Sequence, residues 1–541
     1  MLLRKSLGFN RERGSTGLLH VVRDQSPEMI SLASSTWSRR ASQVALALLT
    51  AALLVLSFPN PDQGWITWVA LVPLLLACHG LGAVTAGALG LLSGTAAALG
   101  MFRWMFEVTG FGLHHALILG LYLGLYPGAW CAGLALLAAR RVPLIVTGPA
   151  LWVALDYLRA HAAFMALPWA TLAHSQHRNL AVLQLATLTG EYGVTFLVVM
   201  ASVAVAGILT RRAWPSAVVA ALIIALAHGA GAVALSQPIG APSLRVAVVQ
   251  PSILISERRT AADRAATLDR LERLTQSAAA ERPALIAWPE TAVPDLARDP
   301  ALVERVQALA RAVGTPLLIG ASEFVKFARP ADEGKGKVLP VGSYNSAYLV
   351  VPGQPLGPPY HKMLLVPFGE YLPLQSAVRW PAWLVPKVFN SVPGDGQQLF
   401  ALPDGTLVGT LICWENLFAG FVRAWVRDGA RLLVQLTNDN WFGLTAAPWQ
   451  HNLASVLRAV ENRVPVVIAS NTGPSQIVDP HGRIRAAVPW LFVEGVAVAD
   501  VPLSSGRTVY TRAGDLFVLA LVTALALTIV YPRWKRARSA S

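Results

Sequence analysis

Residues 407–416 read Leu-Val-Gly-Thr-Leu-Ile-Cys-Trp-Glu-Asn. An apolar, β-favouring run of this length predicts a buried strand over 407–413, with Cys413 at its end and Glu415 and Asn416 directly beyond. Similar short runs recur at 244–250, 284–288, 316–320, 344–351, 431–437, 464–470, 476–478 and 493–498. Between them, amphipathic patterns at 260–280, 301–313 and 451–462 predict helices. Strands alternating with helices define an α/β domain, placed here over 236–514. Gly and Pro cluster at 352–359 and 383–395, which predicts long loops over one face of that domain. There is no internal repeat.

Outward from this domain the chain changes character. Of the 541 residues, 54% are hydrophobic and only 14% are charged, against roughly 25% in ordinary globular chains. Disorder, a fibrous repeat and a purely water-soluble enzyme are excluded. A spanning helix needs about 20 apolar residues. Seven candidates fall at 42–58, 65–81, 82–102, 112–139, 142–158, 189–210 and 215–235, and an eighth at 515–531. Eight crossings put Arg39–Arg40, Arg140–Arg141, Arg211–Arg212 and the cluster Arg533, Lys535, Arg536 and Arg538 on one face, which the positive-inside rule makes cytoplasmic. The net charge of +14 is thereby read as a topology signal rather than a nucleic-acid surface. The expected organisation is a loose cytoplasmic extension over 1–41, a seven-span bundle over 42–235, the α/β domain over 236–514 on the opposite face, a final span over 515–531 and a basic cytoplasmic tail over 532–541.

Three segments of the α/β domain carry reactive groups next to strand ends. Residues 287–294, Ala-Trp-Pro-Glu-Thr-Ala-Val-Pro, put Glu290 just past a strand that Pro289 terminates. Residues 360–373, Tyr-His-Lys-Met-Leu-Leu-Val-Pro-Phe-Gly-Glu-Tyr-Leu-Pro, hold Lys362 and Glu370 as the only carboxylate and ammonium of a strongly apolar run. Cys413 is the third. Three cysteines exclude a disulfide scaffold, and Cys78 and Cys131 lie inside expected spans as packing residues. Singly, each group has a bland explanation: a surface turn carboxylate, a snorkelling lysine, a small buried hydrophobe. Together they form a chemical set. A thiol of ordinary pKa, about 8.5, needs a base and a cation to act. Glu290 is suited to take the proton, Lys362 to stabilise thiolate and oxyanion, and the Trp414 backbone N–H to supply a second oxyanion donor. No histidine has ligand-like spacing, so no metal is expected.

These contexts resemble the Glu–Lys–Cys triad of the nitrilase superfamily, whose fold is an α-β-β-α sandwich. A polytopic N-terminal region and a closing span make the chain similar to the superfamily's membrane-bound branch, the bacterial apolipoprotein N-acyltransferases. Further matches are Asn438-Asp439-Asn440-Trp441-Phe442-Gly443, Arg512-Ala513-Gly514-Asp515, Leu167-Pro168-Trp169 with Ser175-Gln176, and Gly190-Glu191-Tyr192-Gly193. The pattern departs after the first strand, where Gln250-Pro251-Ser252-Ile253 and Arg258-Arg259 stand in place of a Lys-Trp pair, and at Trp414, where tyrosine is frequent. Residues 1–40 have no counterpart.

The resemblance implies a ping-pong acyl transfer through a Cys413 thioester, from the sn-1 position of a membrane phospholipid to the α-amine of an S-diacylglyceryl cysteine in a diacylated apolipoprotein. It implies that Glu370 orients Lys362, that Glu415 supports the turn at Cys413, and that Asn345, Trp441 and Phe442 shape the pocket, with the apolar run 363–368 shielding the thioester from water. The expected setting is the bacterial inner membrane with a periplasmic catalytic domain. The partners are the bilayer and the two lipid substrates, with no cofactor and no nucleic acid, and the chain is read as a monomer. A membrane-tethered carbon–nitrogen hydrolase with the same triad is the alternative. A transporter is a third reading, disfavoured because Asp156, Arg159 and Glu191 fall at span ends.

Overall fold

The computed structural model describes residues 27–211, 213–239, 242–258, 260–326, 341–385, 390–503 and 507–539. The N-terminal region is helical. Among the described residues five helices are long and apolar enough to cross a membrane: Ser38–Leu56, Ala83–Met101, Leu113–Ala139, Glu191–Thr210 and Trp214–Ser236. The other three expected spans are helical as well. Residues 65–81 break into Gly64–Ile66, Thr67–Ala70 and Val72–Cys78, the last restarting with Pro73, whose missing N–H suits a first helical turn and not a helix interior. Leu144–Ala160 has 17 residues, as many as the span expected there, and helix Leu516–Ser539 opens with the apolar stretch Leu516–Thr528. Of the expected N-terminal extension, residues 27–41 belong to the helix Pro27–Leu56. Residues 1–26 lie outside the described residues.

The α/β domain is built on thirteen strands among the described residues. In chain order these are β1 (Ser243–Gln250), β2 (Leu285–Ala287), β3 (Val293–Pro294), β4 (Leu317–Lys326), β5 (Val341–Val350), β6 (Tyr360–His361), β7 (Phe400–Ala401), β8 (Leu407–Ile412), β9 (Leu432–Thr437), β10 (Val466–Ser470), β11 (Ser475–Val478), β12 (Ile484–Val488) and β13 (Gly495–Pro502). One sheet runs β13-β1-β2-β4-β5-β6 with β3 on β4, and the other runs β12-β11-β10-β9-β8-β7. Each has a parallel centre, β1-β2-β4 or β8-β9-β10, flanked by antiparallel strands.

Period-two alternation sorts the side chains into layers. Val246 and Val248 of β1, Leu285 and Ala287 of β2 and Leu318 of β4 face the second sheet and share a core with Val408, Leu411 and Val434. Their neighbours Ala247, Val249, Ile286, Trp288 and Ile319 face outward onto helices Ala261–Ala279 and Pro300–Val313. Those helices begin where their sequences dictate. Thr260 and Asp263 form a reciprocal capping box at 3.0 and 2.8 Å, and Asp299 accepts from Ala301 and Leu302 N–H ahead of Pro300. Helices Ala419–Arg427 and Ala447–Asn462 cover the second sheet, completing an α-β-β-α sandwich.

The two regions interlock. Gln450 accepts from the indole N–H groups of Trp104 and Trp169, both at 3.2 Å, and donates to Pro59 O. Buried Arg458 donates to Glu191 at 2.7 Å, at the start of helix Glu191–Arg211, and Glu191 also meets His174 at 3.1 Å.

A single glycine shows how closely the sandwich positions its loops. A Cβ on Gly320 of β4 would lie 2.2 Å from Pro289 O and 2.8 Å from the Cα of Glu290. Gly320→Ala should therefore displace the Glu290 turn, lowering stability by about 1–3 kcal/mol and activity more than stability alone explains. Thermal unfolding and turnover of the same preparation check this.

Candidate active site

Glu290, Lys362 and Cys413 reach one place from three strand ends, and each end has its own reason for stopping. At β2, Pro289 removes a ladder donor and the chain turns, with Thr291 at a φ of 48°. At β8, Cys413 takes a φ of 56° and opens the 3-10 turn Cys413–Leu417. A left-handed cysteine is strained, and such a sharp strand-to-helix turn lifts the side chain clear of the sheet. At β6, Lys362 leaves the sheet on the hydrogen bond from its N–H to Asn345 O at 2.8 Å.

Asn345 of β5 joins two of the three. Its carbonyl holds the Lys362 backbone, and its Nδ2 donates to Glu290 Oε1. Lys362 is 1% exposed, which excludes the snorkelling arrangement, and Nζ meets Glu370 Oε1 at 2.8 Å. The second Glu370 oxygen accepts from Val366 N–H at 2.7 Å, so the loop between them is closed by the carboxylate that pairs the lysine. Residues 391 and 394 brace both ends: Ser391 N–H donates to Glu370 O and Gly394 N–H to Lys362 O.

Glu415 lies behind this loop with no exposure. Four donors converge on its carboxylate: Tyr360 OH at 2.8 Å, Ile412 N–H at 2.8 Å, Met363 N–H at 2.8 Å and Leu364 N–H at 3.1 Å. Together with Trp414 Nε1 donating to Leu364 O, it fastens the Cys413 turn to the Lys362 loop. Burial pushes the Glu415 carboxyl up to about 7, against the pull of its backbone donors. Across the window from its ordinary value of 4.5 to about 7 the folded chain holds more protons than the unfolded one, so this group lowers stability as pH rises. Glu415→Gln should remove that slope. It should also cost about 2–4 kcal/mol, because an amide NH₂ would then face backbone donors. Thermal midpoints measured from pH 5 to 8 test both effects.

The electrostatics describe a site at rest rather than a preformed thiolate. Burial and the Glu290 charge push the Cys413 thiol well above its ordinary value, while Lys362 pulls the other way. Burial also raises Glu290, opposed by Lys362 and reinforced by Glu370. For Lys362, burial alone would favour the neutral amine, but the charges of Glu370 and Glu290, joined by that of Cys413 when it ionises, more than offset it and hold the ammonium above its usual range. The arrangement therefore favours an ammonium at Lys362 beside a protonated thiol, whose proton can pass to Glu290 as a bond to sulfur forms.

Cys413 is partly buried and packs against two cores. One is the sandwich interior, and the other joins Ala98, Phe102, Trp104 and Leu123 of the helical region to Trp169, Trp414 and Leu417. Val366 and Phe442 pack against that second cluster, and Phe442 meets Trp104 edge-on with centroids 4.7 Å apart. Trp441 is 39% exposed.

Two buried residues had no role assigned from sequence. Asp439 accepts at Oδ1 from His451 Nδ1 at 3.0 Å, and its charge reaches both Glu290 and Cys413. His451 stacks on Trp169 and lies 3.4 Å from Gln435, whose amide donates to Cys413 O. Twelve residues separate Asp439 from His451, and no spacing rule links them. Among the described residues no cluster of His, Cys, Asp or Glu is arranged to hold a metal ion.

A sandwich with this site, carried by apolar helices, defines a membrane protein of the carbon–nitrogen hydrolase class. The Carbon-nitrogen hydrolase family matches residues 245–510, and the family described as Apolipoprotein N-acyltransferase N-terminal domain matches residues 50–204. Relatives called apolipoprotein N-acyltransferase include one from Geobacter metallireducens, 36% identical over 89% of this chain and 94% of its own, and one from Gloeobacter violaceus, 34% identical over 90% and 94%. The chain belongs to the apolipoprotein N-acyltransferase family. Among solved structures, an amidase from Nesterenkonia sp. is 20% identical, covering 51% of this chain and 95% of its own at a TM-score of 0.34.

Proposed function

We propose that this protein transfers a fatty acyl chain from the sn-1 position of a membrane phospholipid to the α-amino group of the S-diacylglyceryl cysteine that begins a diacylated apolipoprotein. The observation that carries this reading is the double packing of Cys413, against the sandwich core and against an apolar cluster contributed by the helical region. A thiol serving a water-soluble amide has no need of that second surface; one serving a lipid ester does.

In the first half-reaction Glu290 takes the proton of Cys413 as sulfur attacks the ester carbonyl. Lys362 and the Trp414 backbone N–H hold the oxyanion, and the proton passes from Glu290 to the departing lysophospholipid alkoxide. In the second, the lipoprotein amine attacks the thioester, an amide forms, and its proton returns through Glu290 to the Cys413 sulfur. Glu370 orients Lys362, and Glu415 supports the turn. Asn345 positions Glu290 and Lys362, Phe442 and Trp441 shape the acyl pocket, and the run 363–368 keeps water from the thioester. No cofactor enters.

Confinement of both substrates to the bilayer replaces a search through water by lateral diffusion and orientation. The basic clusters at 39–40, 140–141, 211–212 and 533–538 support an inner-membrane topology with cytoplasmic termini, eight crossings and a periplasmic catalytic domain. Mass spectrometry of the products, after incubation with phospholipid and a diacylglyceryl peptide, tests the reading. Transfer leaves an N-acylated peptide and lysophospholipid in equal amounts, whereas free fatty acid with an unmodified peptide would make the protein a hydrolase.

A further inference from the structure

The helix Trp214–Ser236 is 23 residues long, about 34 Å at 1.5 Å per residue, which matches a hydrocarbon core of about 30 Å. Leu222, Leu226 and Val233 lie on one face of it and are 58%, 71% and 62% exposed. Where this helix ends beside the catalytic domain, its last residues meet the turn between β11 and β12. Leu235, Ser236, Gln237, Asp479, His481, Arg483 and Arg485 line a cavity there of about 280 Å³.

Three arginines surround one carboxylate in that turn. Asp479 Oδ1 is occupied by the backbone N–H groups of His481 at 2.8 Å and Arg483 at 3.0 Å. Its Oδ2 lies 3.9 Å from Arg483 and 3.7 Å from Arg485, too far for a direct hydrogen bond to either. Arg483 donates to Leu235 O at 2.9 Å and to His481 Nδ1 at 3.0 Å, which holds its guanidinium over the end of the helix. Arg485 makes no hydrogen bond to the protein among the described residues, and both side chains remain open to solvent. Arg463, the third, is fixed to Gln184 and Pro480 O. Burial and the charges of Arg463 and Arg483 hold the His481 imidazole down at about 4, so it stays neutral and adds no compensation.

We infer that Arg483 and Arg485 form a binding site for the phosphate of a membrane phospholipid whose acyl chains lie along the exposed face of helix Trp214–Ser236. A guanidinium pair with spare donors offers forked hydrogen bonds to phosphate oxygens, and the site stands at the level where the headgroups of the surrounding bilayer begin. The lipid held here is not the acyl donor: it sits at the far edge of the second sheet, next to β12, and serves to seat the catalytic domain on the membrane surface. The inference needs only that this helix crosses a bilayer and is independent of the acyl-transfer chemistry.

The test uses the full chain carrying Cys413→Ala, so that lipid is not consumed, in nanodiscs containing a phosphatidylglycerol with a diazirine near the glycerol end of one acyl chain. Peptides covering 222–239 should be labelled, and Arg483→Gln/Arg485→Gln should reduce that labelling by about fivefold or more while labelling elsewhere persists. Arg485→Gln alone, which leaves the Leu235 hydrogen bond intact, should give a smaller decrease, and both variants should keep acyl-transfer activity when Cys413 is restored. A diacylglycerol probe with the same diazirine should label these peptides weakly. Equal labelling by the phosphate-free probe, or unchanged labelling in the double variant, would overturn the site. Suppression of the label by inorganic phosphate as strongly as by the double variant would show a general anion site, and the lipid assignment would fail.

Discussion

Cys413→Ser should reduce acyl transfer by at least about 10⁴-fold while leaving the fold and the membrane insertion of the protein intact. The argument rests on where the residue stands. Cys413 occupies a left-handed turn at the end of β8, and that turn is held by Gln435 through the Cys413 carbonyl and by Glu415 through Ile412 N–H. None of those bonds uses the side chain, so replacing sulfur by oxygen leaves the backbone framework in place. What changes is the nucleophile. A hydroxyl is far less acidic than a thiol, so the proposed base Glu290 would face a much harder deprotonation. In a depletion strain dependent on the variant, lipoproteins should accumulate in the diacylated form; persistence of triacylated lipoproteins would remove Cys413 from the mechanism.

Lys362→Met should be nearly as severe, with a loss of roughly 10³-fold or more, and should carry a distinct pH signature. Methionine replaces the buried stem without its charge. Glu370 then loses its partner at 2.8 Å, and Glu290 and Cys413 lose the Lys362 charge that favours their ionised forms. Both must become harder to deprotonate. The acid limb of the activity profile, already above the ordinary carboxylate value because burial raises Glu290, should move to still higher pH. A profile that fell in height without moving would mean that Lys362 holds the loop but does not act on the reacting groups. Uncompensated burial of Glu370 should also lower the thermal midpoint, as breaking one side of a buried ion pair does.

The sequence was most readable where one segment contains its own explanation. Strand β8 and the turn after it announce themselves by an apolar run that stops at Cys413, and residues 287–290 do the same through Pro289. The long apolar helices follow from hydropathy alone. Strands β3, β6 and β7 were missed because each has two residues, too few for a period to register. Strand β12 was missed because Ile484–Val488 forms an edge with exposed positions and lacks a buried alternation. The break within 65–81 is local, and Pro73 marks it. The support of the site was hidden for a different reason: its partners come from distant segments. Glu415 was visible beside Cys413, but three of its four donors come from residues 360–364. Asn345 had a role only through resemblance. In the structure one side chain and one carbonyl account for it, joining Glu290 to Lys362. Asp439 and His451 meet because β9 and the helix Ala447–Asn462 pack together, which no reading of spacing supplies.

The acyl-enzyme is the most direct measure of the account. Purified protein incubated with phospholipid, in the absence of any acceptor, should gain the mass of one acyl group on the peptide containing Cys413. A diacylglyceryl peptide added afterwards should discharge that adduct into an N-acylated product. The same incubation with Glu290→Gln should leave Cys413 unmodified. An acyl group found on a different residue, or an N-acylated peptide formed with no adduct on Cys413 at any time, would contradict the thioester and with it the roles assigned to all three residues.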